Sequence, residues 1–217
     1  MTIAHHPRLE TLASLAAGTL SPGPRLVVTT HLAGCRECRN LIRGFEAVGG
    51  AFLEGMPPCA VAPEFLPRTL ALLDPESIRP GAPEYVRRPA TPGFPEAPAP
   101  LRGYPIGPWL FIQPGLRISR VAIPEDHNAN VILLKVGAGR RVPHHGHEGT
   151  EYTQVLSGAF SDALGHYVAG DCIEADDDID HQPVVDNDGE CICLAAVEGR
   201  LRLHSFVARL LQPFLGI

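Results

Sequence analysis

Two groups of metal-ligating residue types lie at opposite ends of the 217-residue chain: His31, Cys35 and Cys38 near the start, and His145, His147, Glu151 and His181 near the end. Their chemistry differs. The first group, spaced His-x3-Cys-x2-Cys, can close a sulfur-rich tetrahedron around zinc with no open position, which marks a structural site. The second, three imidazoles and a carboxylate, can hold a divalent metal while still admitting water or a small ligand. One site is suited to folding a domain, the other to meeting something from outside.

The elements that must position the first group are helical. Leu9, Leu12, Ala13 and Ala16 repeat at helical spacing up to Gly18, and Ser21 followed by Pro22 opens a second helix through Leu26, Val27 and Thr30 to His31. Gly34 breaks it, and a third helix runs from near Cys35 through Leu41, Ile42, Phe45, Val48 and Phe52. His31 then falls in the last turn of one helix and both cysteines in the first turn of the next, where the helix dipole favours thiolate. A fourth ligand must come from elsewhere. His5 and His6 both stand ahead of the first helix, and spacing does not choose between them. The competing reading, that Cys35 and Cys38 form a redox pair or are simply buried, is weakened by the histidine four residues upstream. A further short helix is expected in residues 63–74, with Phe65, Leu66, Thr69, Leu70 and Leu73 on one stripe. It either packs on its own domain or docks in the groove of a partner.

Fourteen of the 22 prolines fall between Pro57 and Pro108, a density that cannot sustain helices or central strands. Beyond Trp109 the pattern becomes short β-branched runs, among them VILLKV from Val131, EYTQVL from Glu151, CICLAAV from Cys191 and LRLHSF from Leu201. Such runs, separated by turn residues, read as an all-β sandwich or barrel. A strand would place His145 and His147 on one face, with Glu151 following the turn at Gly149. His144 alternates to the other face and, with His127, His166 and His204, is left out of the site. Asp176, Asp177, Asp178 and Asp180 read as a solvated loop. Cys191 and Cys193 share one face of a strand, either as core residues or as a thiol sensor close to the metal, their parallel vectors disfavouring a mutual disulfide.

Two resemblances rest on these residues. The N-terminal segment resembles the zinc-binding anti-sigma domain, which implies a small helical bundle with His6, His31, Cys35 and Cys38 as zinc ligands and an extracytoplasmic-function-type sigma factor as partner. The run from Gly139 to Gly158 resembles the first cupin motif, G-x5-H-x-H-x3-E-x6-G, at every defined position. Gly170 and His181 match the second motif, whereas Asp176, Asp178 and Val185 depart from it. The order of the two parts, together with the ending LLQPFLGI, is similar to the ChrR-type anti-sigma factors. That resemblance implies a non-enzymatic regulator that releases its sigma factor under oxidative stress such as singlet oxygen.

The expected architecture is therefore multidomain α and β: a zinc-stapled helical bundle over residues 1–80, a proline-rich linker over 81–108, and an all-β cupin barrel, a double-stranded β-helix or jelly roll, over 109–217. Zinc is expected in the first site and a divalent metal, taken as zinc, in the second, with a small-molecule signal at the cupin. Residues 1–80 carry seven Arg against seven acidic residues, and residues 109–217 carry eight Lys or Arg against fifteen. Neither half offers the basic face of a direct nucleic-acid binder. No apolar run reaches membrane-span length and no secretory signal opens the chain, so a cytoplasmic location is expected. The alternative is a cupin metalloenzyme, a dioxygenase or isomerase, carrying an N-terminal zinc interaction module.

Overall fold

The computed structural model describes residues 2–73 and 97–203. The middle of the proline-rich stretch, His204, and the terminal LLQPFLGI lie outside the described residues. Three helices open the chain, α1 (Leu9–Ala16), α2 (Pro22–Gly34) and α3 (Arg36–Gly55), followed by the short α4 (Phe65–Ala71). Pro22 occupies the first turn of α2, where a missing N–H is harmless, and Cys35 caps α3 by accepting from the Cys38 amide at 3.4 Å.

Among the described residues eleven strands follow: β1 (Leu110–Gln113), β2 (Leu116–Arg120), β3 (Asn130–Val136), β4 (His145–His147), β5 (Glu151–Ser157), β6 (Ala159–Ser161), β7 (His166–Val168), β8 (Cys172–Ala175), β9 (Val184–Val185), β10 (Cys191–Val197) and β11 (Leu201–Leu203). They form an antiparallel six-stranded sheet in the order β1-β2-β3-β10-β5-β8. Facing it are a β11-β4 pair and a β7-β6-β9 sheet, joined by bridges from His145 to His181 and from Arg141 to Val184. Gly139 and Gly158, at φ +65° and +75°, turn the chain at the two ends of the first motif in a conformation that side chains with a Cβ rarely adopt.

Every residue of β10 is buried. One face, Cys191, Cys193 and Ala195, belongs to the barrel interior. The other, Ile192, Leu194 and Ala196, joins a core that also contains Leu12, Leu26, Val27, Val28, Cys35 and Cys38 of the helices. The helical domain is thus packed on the outer face of the large sheet, and α2 lies so close that a Cβ on Gly23 would meet Val131 Cγ2 at 3.1 Å. Burying Leu26, Val27 and Val28 contributes about 1.5–3 kcal/mol each. The stretch expected to be spacer also joins this core at its far end: Ala97 and Leu101 are buried, and Ile106 bridges Val121.

Beyond Phe45 the face of α3 is uncovered among the described residues. Val48, Phe52 and Leu53 are exposed, with Met56 just past the helix, as are Phe65, Leu66, Leu70 and Leu73 of the α4 segment, so no described residue of its own domain covers the stripe on α4.

Candidate metal centres

The first donor set is brought together at the junction of α2, α3 and the segment ahead of α1. His6, His31, Cys35 and Cys38 each offer one ligand atom, all within 4.8 Å of one another, and only His6 is not fully buried. His6 Nδ1 lies 3.4 Å from both thiol sulfurs. A tetrahedral ion with metal–nitrogen and metal–sulfur bonds of roughly 2.0–2.1 and 2.3 Å would set that separation near 3.6 Å, so the set fits. Buried His31 Nε2 has no hydrogen-bond partner and points its lone pair into the same space. His5, the other histidine weighed, is turned away: its Nδ1 is 3.0 Å from Asp171 Oδ2.

The expectation that the helix dipole would favour thiolates needs correction at Cys38. Burial, then contact with Cys35, pushes that thiol up to about 12. Desolvation outweighs the dipole, so it takes a cation among the donors, displacing the thiol protons, to make the thiolate the stable form.

The second donor set is His145, His147, Glu151 and His181, again within 4.8 Å. β4 places the first two side by side, the start of β5 supplies Glu151, and the bridge to β4 brings in His181. His181 Nε2 is 3.2 Å from His145 Nε2, while Glu151 Oε2 is 3.7 Å from His145 Nε2 and 3.9 Å from His181 Nε2. Glu151 Oε2 and His147 Nε2 face each other at close range without hydrogen-bond geometry, and both are buried and otherwise unpartnered. Two rings are oriented from behind: His145 Nδ1 donates to Pro143 O at 2.8 Å, and His181 Nδ1 is 2.9 Å from Asp162 Oδ2. Each Nε2 is left as a lone-pair donor, the arrangement a metal requires. Burial opposes charge on Glu151, but His145 and His147 outweigh it and hold the carboxyl well below its usual range. Burial likewise opposes protonation of His145, and Glu151 more than offsets it, so the imidazole is raised.

Beside these donors lies a cavity of about 50 Å³, lined by apolar residues including Leu134, Val142, Phe160 and Ile173, with Asp162 and Cys193 at its wall. Cys191 and Cys193 are buried free thiols whose sulfurs are 3.6 Å apart. Contact with Cys191, then burial, holds the Cys193 thiol well above its usual range.

Of the histidines set aside, His127, His144 and His166 are exposed, and His166 Nε2 meets Asp186 Oδ2 at 2.9 Å. In the acidic loop Asp177, Asp178 and Asp180 are exposed, as expected, whereas Asp176 is a correction: it is paired with Arg8 through two contacts of 2.9 and 2.7 Å across the domain junction. Sequence reasoning missed Asp162 and Gln154, which orient ligand histidines. A buried Gln inside the apolar run EYTQVL was the one available signal, since a buried amide needs partners.

A helical domain with a four-donor His/Cys cluster, seated on a cupin with a donor set of its own, defines a two-part class of protein. Residues 9–39 match a putative zinc-finger family and residues 107–198 match the ChrR cupin-like domain. The chain is 40% identical to the anti-sigma-E factor ChrR of Cereibacter sphaeroides over 100% of both chains. In the crystal structure of Rhodobacter sphaeroides SigE with the anti-sigma ChrR, the matching chain is 36% identical, with a TM-score of 0.73 over 91% of this chain and 100% of that one. The chain belongs to the ChrR-type family of anti-sigma factors, which is regulatory rather than enzymatic.

Proposed function

We propose that this protein sequesters an extracytoplasmic-function-type sigma factor and releases it under oxidative stress such as singlet oxygen, with the cupin as a metal-dependent sensor. The observation that carries the reading is the apolar face left open on the far half of α3 and on α4, in a domain whose four-donor set sits at the start of α3. An amphipathic helix of this kind is marginal in water unless its stripe is covered. A helix-in-groove contact with a sigma factor would cover it.

His6, His31, Cys35 and Cys38 would hold zinc, closing the fold of the small helical domain. His145, His147, Glu151 and His181 would hold a second divalent ion, zinc by the same reading. When bound there, the ion supplies Lewis acidity to any small species entering the adjoining cavity. Asp162 and Pro143 O orient the rings, and the apolar lining excludes bulk water. The cytoplasm is where such a partner is met, and no described helix is long and apolar enough to cross a membrane.

Co-expression with a candidate sigma factor tests the reading. The two chains should co-purify, and Cys35→Ser with Cys38→Ser should abolish the complex. Co-purification that survives this double change, or no complex with any sigma factor encoded nearby, would overturn it. For sensing, oxidant should dissociate the wild-type complex and leave a His145→Ala, His181→Ala complex intact.

A further inference from the structure

The barrel reaches the helical domain's donor set directly. His31 Nδ1 lies 2.9 Å from Gly170 O and 3.1 Å from Gln154 Oε1, both groups of the barrel. A carbonyl and an amide oxygen only accept, so Nδ1 carries the proton and Nε2 must present its lone pair to the cysteines. The segment carrying His6 is held from the same side. Asp171, buried at 1% exposure, accepts from the Ala4 and His5 amides at 2.8 and 3.0 Å, and the Cys172 amide donates to His5 O. Two residues further on, the Arg8 amide donates to Glu174 at 2.8 Å.

Gly170 makes this approach feasible. Its φ of +103° suits glycine, and a Cβ there would sit 2.8 Å from Ile3 Cγ1. Gln154 also lies on β5 three residues beyond Glu151, with the two side chains on opposite faces: Glu151 turned into the barrel and Gln154 outward under the helices.

We propose that the cupin supplies the outer shell of the N-terminal metal site, with Gln154 and the Gly170–Asp171 turn as positioning residues for His31 and His6. A displacement of β5 at Glu151 is then felt at His31 through three residues of backbone. The inference rests on the reading of the N-terminal set as a metal site and concerns what holds its ligands in place.

The test uses the full chain loaded with cobalt, whose thiolate charge-transfer absorption reports the Cys35 and Cys38 site alone because the cupin set contains no sulfur. Absorption loss is followed after adding excess chelator. Gln154→Met keeps the side-chain volume but removes the acceptor, and it should speed release about tenfold, the low end for an outer-shell partner because Gly170 O remains. Gln154→Glu restores an acceptor oxygen and should return release toward the wild-type rate. Asp171→Asn should also speed release while the cupin set keeps its cobalt, which controls for a misfolded barrel. Release from Gln154→Met within a factor of about two of wild type, or acceleration that Gln154→Glu shares in full, overturns the proposal. If wild-type protein shows no thiolate band, it is the metal-site reading that fails, a result distinct from equal rates.

Discussion

Phe52 is the sharpest probe of the open helical face. It is 75% exposed, so truncating it to alanine should leave the free protein's stability within about 0.5 kcal/mol of wild type. A phenylalanine carries about 150–250 Å² of surface, of which about 110–190 Å² is free here; at about 25 cal/mol per Å² its burial by a partner is worth at most about 3–5 kcal/mol. Alanine keeps part of that area, and ordering the interface consumes some of the remainder. A loss of about 2 kcal/mol is therefore expected, close to 30-fold in Kd. Titration calorimetry of Phe52→Ala against the sigma factor measures it, with thermal melts as the control. Val48→Ala should follow in the same direction and Ala60→Ser, on an exposed loop, should not. An affinity unchanged for Phe52→Ala, with melts also unchanged, would refute the assignment of this face as the grip.

Cys35→Ser with Cys38→Ser should remove the metal and most of the helical signal of α3, since Cys38 is its one fully buried side chain, while α1 and α2 stay packed on the sheet; circular dichroism before and after chelator reads this. Asp162→Ala should weaken metal retention by the cupin about 10- to 100-fold while leaving the thiolate site loaded, measured by elemental analysis after competition with a chelator. Arg8 holds the Asp176 carboxyl below its usual range; at Asp171, burial works the other way, but amides of Val168, Ala4 and His5 prevail and lower it too. A depressed carboxylate contributes stability that is complete above its unfolded pKa of about 3.9 and is lost as pH falls through its folded value. The N-terminal segment should therefore stay docked at neutral pH and detach only below about pH 4, as the amide shifts of Ala4 and His5 in NMR spectra will report. Glu174, raised by burial, acts in the opposite sense and narrows the window.

Three donors of each set were legible because ligand spacing is a local property: four residues set the first cysteine against His31, and alternation along β4 sets His145 beside His147 ahead of Glu151; His6, which spacing does not choose over His5, and His181 rested on the resemblance to family motifs. The helices were legible for the same reason, from periodicity. What spacing could not reveal was the docking of one domain on the other, because its bonds join residues far apart in sequence. Arg8 and Asp176 are separated by 168 positions, and His31 and Gln154 by 123. One signal did exist. CICLAAV and VILLKV are apolar at nearly every position, whereas a barrel strand with one wet face alternates; a continuous run requires cover on both sides. The buried Ala97 and Leu101 show that a proline-dense stretch can still join a core, since proline forbids helices and central strands but not burial.

On the proposed reading, in which a partner sits on the open faces of α3 and α4 and the cupin senses, the docked arrangement constrains how a signal in the barrel can reach that partner. The apolar face of α2 is spent on the sheet, while the open faces are those of α3 and α4, so barrel and partner do not compete for the same surface. Release by direct displacement is thereby unavailable to the barrel's own strands. Any signal must instead alter the helical domain, and it can do so only by the difference in its affinity for docked and undocked forms. Moving such an equilibrium from 1:99 to 99:1 takes about 5.5 kcal/mol. That is the scale of burying Leu26, Val27 and Val28 together, at about 1.5–3 kcal/mol each. A signal that loosened α2 from the sheet would thus have leverage of the right size, and the same loosening would strip His31 of its two acceptors on the barrel.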